Sequence, residues 1–304
     1  MPQAPSVLAI FGPTGVGKTA VAIAAAERLR ALGQHPVAVS ADALQVYEGL
    51  EVLTGAASQA ERARLEHRLL SFVPDDATFS VAQYAELAHA EVDGLLEHGW
   101  LPIVVGGTGL YLRAALAELD LRPMPPEEVR ARWEAELAAR GAPALHAVLS
   151  ARAPWAAEPI APGDSHRIVR ALELLDLGEL EPPQGPNRLW TEDTRHPTRL
   201  LGLTMERDAL YAAIDARVDA MVAAGALEQV RAAHAAGASD TARKALGFDE
   251  LLAGDVEAMK RRTRNYAKRQ LTWMRKLAGV EVLDVTGRSP DDVARHVAAA
   301  WDAA

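Results

Sequence analysis

Two rhythms of apolar and polar positions alternate along the chain. Short apolar runs rich in β-branched residues occur at 7–11, 36–40, 101–105, 199–204 and 280–285, and each early one is followed by residues of helical period. Runs this short and continuous predict strands covered on both faces, in βαβ units around a parallel sheet. The first helix is predicted from Lys18 to about residue 32, with Gly33 just past its end. From about 121 to 198 the strand signal disappears. "RPMPPEEVRARWEAELAARG" opens on prolines, carries acids in its first turn and stops at Gly141, which predicts a helix. "PGDSHRIVRALELLDLG" predicts another, with Asp164 as N-cap and Gly178 beyond its end, and "ELEPPQGPNRLW" reads as a connector. Residues 206–237 are predicted helical again, broken near Gly225.

The loop between the first strand and first helix narrows this picture. "GPTGVGKT" fits G-x-x-x-x-G-K-[ST] with Gly12, Gly17, Lys18 and Thr19 in register, and Pro13, Thr14, Gly15 and Val16 between them. Backbone N–H groups and a helix N-terminus in such a loop surround phosphate oxygens, the lysine adds positive charge, and the Thr19 hydroxyl is placed to ligate Mg²⁺. The expected fold class is therefore α/β: a P-loop NTPase-like parallel sheet core flanked by helices. Residues 1–121 and 196–304 are assigned to the core and 122–195 to a helical insertion. An ATPase usually adds an apolar strand ending in an acid. Here "IVVGGTG" ends in Gly106 and Gly107, and the run that delivers an acid is "VAVSADALQVY", with Asp42. At a strand's carboxyl end Asp42 is expected near the phosphate loop. Asp42 and Gln45 also have capping-box spacing, so helix cap and catalytic base stand as equal readings.

Composition adds exclusions. The 304 residues are 49% hydrophobic and 24% charged, as in an ordinary globular protein. The absence of cysteine excludes disulfides, Cys-ligated zinc and iron–sulfur clusters and fits a cytoplasmic setting. "SVLAIFG" lacks the basic start of a signal peptide, and no apolar run approaches the ~20 residues of a membrane span. The histidines are scattered, without metal-site spacing, and no exposed apolar repeat suggests an obligate interface, so a monomer is expected. The formal net charge of −9 speaks against nucleic acid as partner, yet no acid lies between Glu257 and Glu281 while eight Lys and Arg do. On a helical projection Arg261, Arg264, Lys268, Arg269, Arg275 and Lys276 share one arc; Tyr266, Ala267, Leu271, Trp273, Met274 and Leu277 share the opposite one. A basic face toward phosphates and an apolar face toward the core is one reading; a solvated cationic face is the plainer one.

In order along the chain, "GPTGVGKT", "SADALQVY", "HRLL", "FSVAQY", "VVGGTGLYLRAAL", "SHRIVRALE", "ALGFDEL" and "YAKRQLTWMRK" resemble the motifs of the bacterial tRNA dimethylallyltransferase (tRNA isopentenyltransferase) family. The resemblance covers about residues 7–277. It implies that the loop holds the diphosphate of dimethylallyl diphosphate, and that the prenyl group passes to N6 of adenosine 37, beside the anticodon in the anticodon stem-loop of tRNA. It makes Asp42 the base, with Lys18, Thr19 through Mg²⁺, and Thr108 as further catalytic groups. It places Asp42, Ala43, Leu44, Gln45 and Thr108 at the target nucleotide, and Arg130, His166, Arg167, Arg170, Arg264, Lys268 and Arg269 at the tRNA. Each has a plainer reading: a helix cap for Thr108, a solvated arginine for Arg130, ion pairs to Asp164 or Glu173 for the 166–170 group. The chain departs from the family pattern at Ser71, where an Asp is common, and at "LTGAAS" after Tyr47, Glu179 and Phe248–Asp249, where basic groups are lost. Competing readings are a relative that prenylates free adenine nucleotides, a P-loop small-molecule kinase, and a nucleic-acid-binding module without catalysis.

Overall fold

The apolar runs lie side by side in one sheet. The structure is a computed structural model and describes residues 6–122, 124–182 and 188–302. The strands are β1 Val7–Phe11, β2 Pro36–Ser40, β3 His67–Arg68, β4 Leu101–Gly106, β5 Thr198–Thr204 and β6 Glu281–Asp284, all parallel, in the order β3-β2-β4-β1-β5-β6. The longer helices are α1 Lys18–Ala31, α2 Val81–Glu97, α3 Gly109–Leu116, α4 Glu127–Arg140, α5 Ala142–Arg152, α6 Ser165–Asp176, α7 Arg207–Ala223, α8 Ala226–Ala236, α9 Val256–Met274 and α10 Pro290–Asp302.

Alternate residues of each central strand face different cores. Leu8, Ile10, Ile103 and Leu201 pack with Val21, Ile23 and Ala25 of α1 and Val293 and Val297 of α10. Val7, Ala9, Phe11, Val39 and Val104 face Tyr84, Ala88 and Val92 of α2 and Leu112 and Ala115 of α3. Helices on both faces explain why these strands read as unbroken apolar runs. A third cluster around Val46, Leu53, Val218, Phe248 and Met259 lies among the segments that follow the strands.

The chain divides into two compact units, Met1–Leu121 with Arg188–Ala304, and Arg122–Asn187. This moves the boundary expected at 195. Residues 188–195 go with the sheet unit because it supplies their partners. The Arg113 guanidinium donates to the carbonyls of Arg188 (2.8 Å) and Asp193 (2.9 Å), the Arg195 amide donates to the Leu116 carbonyl (2.8 Å), and the Trp190 ring packs on Trp273 (4.7 Å). The smaller unit has its own core of Trp133, Leu145, Leu149, Ile168 and Leu172. Asp176 ties it together, accepting from Trp133 Nε1 (2.7 Å), Arg152 (2.7 Å) and Arg132. Asp164 caps α6 through the Arg167 amide, as its position predicts. Of the expected connector at 179–190, residues 183–187 lie outside the described residues.

Strand register brings three chain segments to one edge. Phe11 pairs with Gly106, and Ser40 with Val105, so β1, β2 and β4 finish level. The phosphate loop, Asp42 and Thr108 therefore emerge together at the carboxyl ends, where ligands of open α/β sheets bind. Gly106 makes the close approach possible: a Cβ there would lie 2.0 Å from the Ala41 carbonyl oxygen.

Candidate active site

The phosphate loop wraps its own lysine. Gly15 and Gly17 take positive φ (85° and 90°), which turns the chain into α1 at Lys18. Lys18 Nζ donates to the carbonyls of Gly12 (2.9 Å) and Pro13 (3.0 Å). Val16 is buried in the α1 core and anchors the loop. Enclosure of the ammonium, reinforced by the nearby Arg217 and opposed by Asp42, pulls Lys18 down to about 7. An anion in the loop would reverse that shift.

Asp42 is not a helix cap. The next helix begins only at Glu51; residues 43–49 form bends and turns with Tyr47 bridged to Val73, and the Asp42 carboxylate accepts the Leu44 amide at 3.0 Å. Gln45 is correspondingly not one helical turn away in α-geometry; its Nε2 donates to the carbonyls of Gly55 (3.2 Å) and Thr54 (3.4 Å). Burial raises the Asp42 pKa, against the Leu44 amide, Lys18, the Gln45 amide and Arg217. A carboxylate lifted in this way is suited to accepting a proton. Thr108 stands at the N-cap position of α3 without a side-chain cap bond. Its hydroxyl instead accepts the Ala43 amide (3.4 Å) and meets the Tyr266 hydroxyl (3.3 Å). Burial pushes Tyr266 up to about 12, so its hydroxyl keeps its proton.

Thr14, Gly15, Gly17, Lys18, Thr19, Asp42, Leu44 and Gln45 line one cavity of about 240 Å³. Three side chains there, Arg217, Tyr266 and Gln270, were not among the expected site residues. Arg217 on α7 reaches the Gly55 carbonyl at 3.2 Å, and its buried Nε has no partner among the described residues. Desolvation favours its neutral form, with Asp42 and Glu61 opposing. Sequence did hold a signal: Arg217 falls on the α7 face of buried Leu210, Ile214 and Val218, a charge where a core residue belongs. Tyr266, which the projection places on the core side, is a wall of the cavity. Gln270, on the buried face of α9, bonds the phosphate loop and the end of β4. Leu53, Val218, Met221, Leu246 and Met259 supply an apolar wall.

The other expected contact residues lie on two different units. Arg130 on α4 pairs with Glu134 (3.0 Å). His166 and Arg167 are exposed on α6, Arg167 Nε lies 3.3 Å from Asp164, and Arg170 lies 3.3 Å from Glu173, the ion pairs that the plainer reading expects. On α9, Arg264 is held by Asp215 of α7 at 2.7 Å, so it does not stand free on a basic face. Asp219 and Glu250 likewise pair with Lys260 and Arg262. Among the described residues no carboxylate pairs with Lys268, Arg269, Arg275 or Lys276, and the first two lie over the rings of Tyr211 (5.9 Å) and Tyr266 (5.4 Å). The helix itself ends at Met274, before Arg275 and Lys276.

No group of three or more His, Asp or Glu suited to a metal occurs among the described residues. The Thr19 hydroxyl and Asp42 carboxylate share the cavity. That donor set fits a Mg²⁺ ion only if phosphate oxygens and waters complete its shell, which is how Mg²⁺ is commonly held. Nor is any helix among the described residues long and apolar enough to cross a membrane.

Comparisons with known proteins point to one family. A family model described as IPP transferase matches residues 45–277. The chain is 44% identical to the tRNA dimethylallyltransferase of Rhodospirillum centenum over 90% of each chain. It is 41% identical to that of Kineococcus radiotolerans over 97% of this chain and 96% of the other. Among solved structures, the tRNA isopentenylpyrophosphate transferase of Bacillus halodurans superposes with a TM-score of 0.70 at 33% identity, covering 98% and 96% of the two chains. A eukaryotic dimethylallyltransferase acting on tRNA shares the fold, with a TM-score of 0.72 at 24% identity over 93% and 74%. The chain belongs to the IPP transferase family.

Proposed function

We propose that this protein transfers the dimethylallyl group of dimethylallyl diphosphate to N6 of adenosine 37 in tRNA and releases diphosphate. The observation that carries the reading is one cavity holding two enclosed cations, Lys18 and Arg217, a raised carboxylate, Asp42, and an apolar wall. Cations and loop amides suit the diphosphate, and the Leu53, Val218 and Met259 side suits a branched five-carbon chain. The relatives named above act on tRNA by their names, which supports tRNA over a free nucleotide as acceptor.

N6 of adenine is a weak nucleophile, because its lone pair is delocalised into the ring. Its attack on C1 of the allyl group forms the N–C bond as the C1–O bond breaks, and the electron pair leaves on the diphosphate. Asp42 takes the N6 proton. Lys18, Arg217 and the loop amides stabilise the charge that grows on the leaving oxygen. Bound through Thr19, Mg²⁺ would add Lewis-acid stabilisation to the same diphosphate. Thr108, held by Tyr266 and the Ala43 amide, orients the turn that carries Asp42. Arg130, His166, Arg167 and Arg170, with Lys268 and Arg269, contact the RNA. The enzyme works as a cytoplasmic monomer.

The test uses anticodon stem-loops that differ only at position 37. Labelled dimethylallyl diphosphate should label the adenosine-37 RNA and leave a guanosine-37 RNA unlabelled. Equal labelling of both would remove adenosine 37 as the acceptor.

A further inference from the structure

Gln270 lies in the C-terminal third of α9, on the face formed by Met259, Thr263, Ala267 and Met274. It is 3% exposed, and a primary amide so enclosed must find its partners inside the protein. Its Oε1 accepts the Thr14 amide at 2.8 Å, and its Nε2 donates to the Gly107 carbonyl at 2.7 Å. The two partners fix the orientation of the amide, with acceptor toward the loop and donors toward the strand end. One side chain thus bridges the loop after β1 to the residue after β4, the two segments that frame the cavity. The fit is close: a Cβ on Gly107 would lie 2.3 Å from Gln270 Nε2 and 3.2 Å from Lys18 Nζ.

A phosphate loop binds by aiming backbone N–H groups at its ligand. Here the Thr14 N–H is given to Gln270 Oε1 instead, and that bond sets the path of the loop on either side of it. We propose that Gln270 is a positioning residue for the allylic diphosphate: by pinning the Thr14 amide to the end of β4 it holds the phosphate loop in its receiving shape. The inference rests on the diphosphate reading of the cavity and adds to it a group that acts through the loop. A role in core packing alone would lower the amount of active protein and leave the KM for the diphosphate substrate unchanged.

The experiment compares wild type, Gln270→Ala and Gln270→Glu. Binding of inorganic diphosphate with Mg²⁺ is measured by calorimetry, and steady-state constants with dimethylallyl diphosphate and tRNA. Gln270→Ala leaves two buried polar groups unpaired, so its diphosphate Kd and its KM for dimethylallyl diphosphate should rise about tenfold or more. The KM for tRNA should not change. Gln270→Glu keeps the acceptor for Thr14, but only its protonated form can donate to Gly107. Its diphosphate affinity relative to wild type should therefore recover as pH falls, a signature that packing does not produce; this variant carries the test if the alanine protein fails to fold. Wild-type diphosphate affinity in both variants, or a lower kcat with unchanged KM, overturns the proposal. A wild-type protein that does not bind inorganic diphosphate overturns the reading of the cavity and this inference with it.

Discussion

A carboxylate just past a strand end can cap a helix or take a proton, and at Asp42 the decision lies in the turn that follows. Capping and a local turn use the same bond, a side-chain oxygen on a nearby amide, so S-A-D-A-L-Q has the spacing of both. The Asp42 carboxylate accepts the Leu44 amide and lines the cavity. As the proposed base it must be ionised. Its raised pKa therefore predicts that kcat falls on the acid side as pH drops through a range above that of ordinary carboxylates. Asp42→Asn should lower kcat by about 10²-fold or more and abolish that limb while inorganic diphosphate still binds. An Asn variant with near-normal kcat would remove Asp42 from the chemistry. Lys18 gives a second prediction of opposite sign. Free, it titrates near 7; next to a bound diphosphate it must titrate higher. Its contribution to affinity is then complete below about 7 and is lost as pH rises through the higher value. Diphosphate binding at pH 8 should take up protons, seen as a dependence of the calorimetric heat on buffer ionisation. Lys18→Met should lose the uptake, and an unchanged uptake would contradict the assignment.

At the scale of elements, the strands were legible and the helix faces only partly so. β1, β2 and β4 are covered on both sides, so their sequences carry unbroken apolar runs that nothing else of that length imitates. β3 was not legible: two residues, His67 and Arg68, cannot show a period, and only pairing beside Ala38 and Val39 makes them a strand. On α9 the projection sorted side chains by type. It could not see that a polar Gln270 is buried to bond a distant loop, or that Asp215, Asp219 and Glu250 arrive from other segments to pair with Arg264, Lys260 and Arg262 of the basic run. The same projection on α7 would have flagged Arg217 had its buried face been drawn. The structure therefore redirects the test of the RNA face. Reversing charge at Lys268 and Arg269 should weaken tRNA binding and flatten its dependence on salt, lowering the slope by about one for each phosphate no longer neutralised. Arg264→Glu should mainly cost stability, because it sets two carboxylates against each other at Asp215. If Lys268 and Arg269 reversal leaves the salt slope unchanged, the exposed face is only solvated.

Over the whole molecule, the parallel sheet does one thing: it ends β1, β2 and β4 level and delivers loop, acid and threonine to a single cavity. That convergence follows from register, which no single motif contains, although the motifs named every segment involved. Arg217 and Gln270 come from helices that lie about 200 and 250 residues further along the chain, which is why loop motifs alone could not reveal them. The smaller unit, Arg122–Asn187, has its own core and carries Arg130, His166, Arg167 and Arg170. Its proposed part is therefore recognition. Substituting Arg130 and Arg167 by alanine should raise the KM for tRNA and leave the Kd for inorganic diphosphate unchanged. A shift in diphosphate binding would assign these side chains to the cavity instead.

The most direct measurement is a pair of incubations of the purified protein with Mg²⁺ and labelled dimethylallyl diphosphate, one with unmodified tRNA and its twin with AMP. Label should appear in the tRNA alone, on adenosine, with one diphosphate released per label. Label in AMP, or no transfer together with ATP consumption in a parallel tube, would contradict the account.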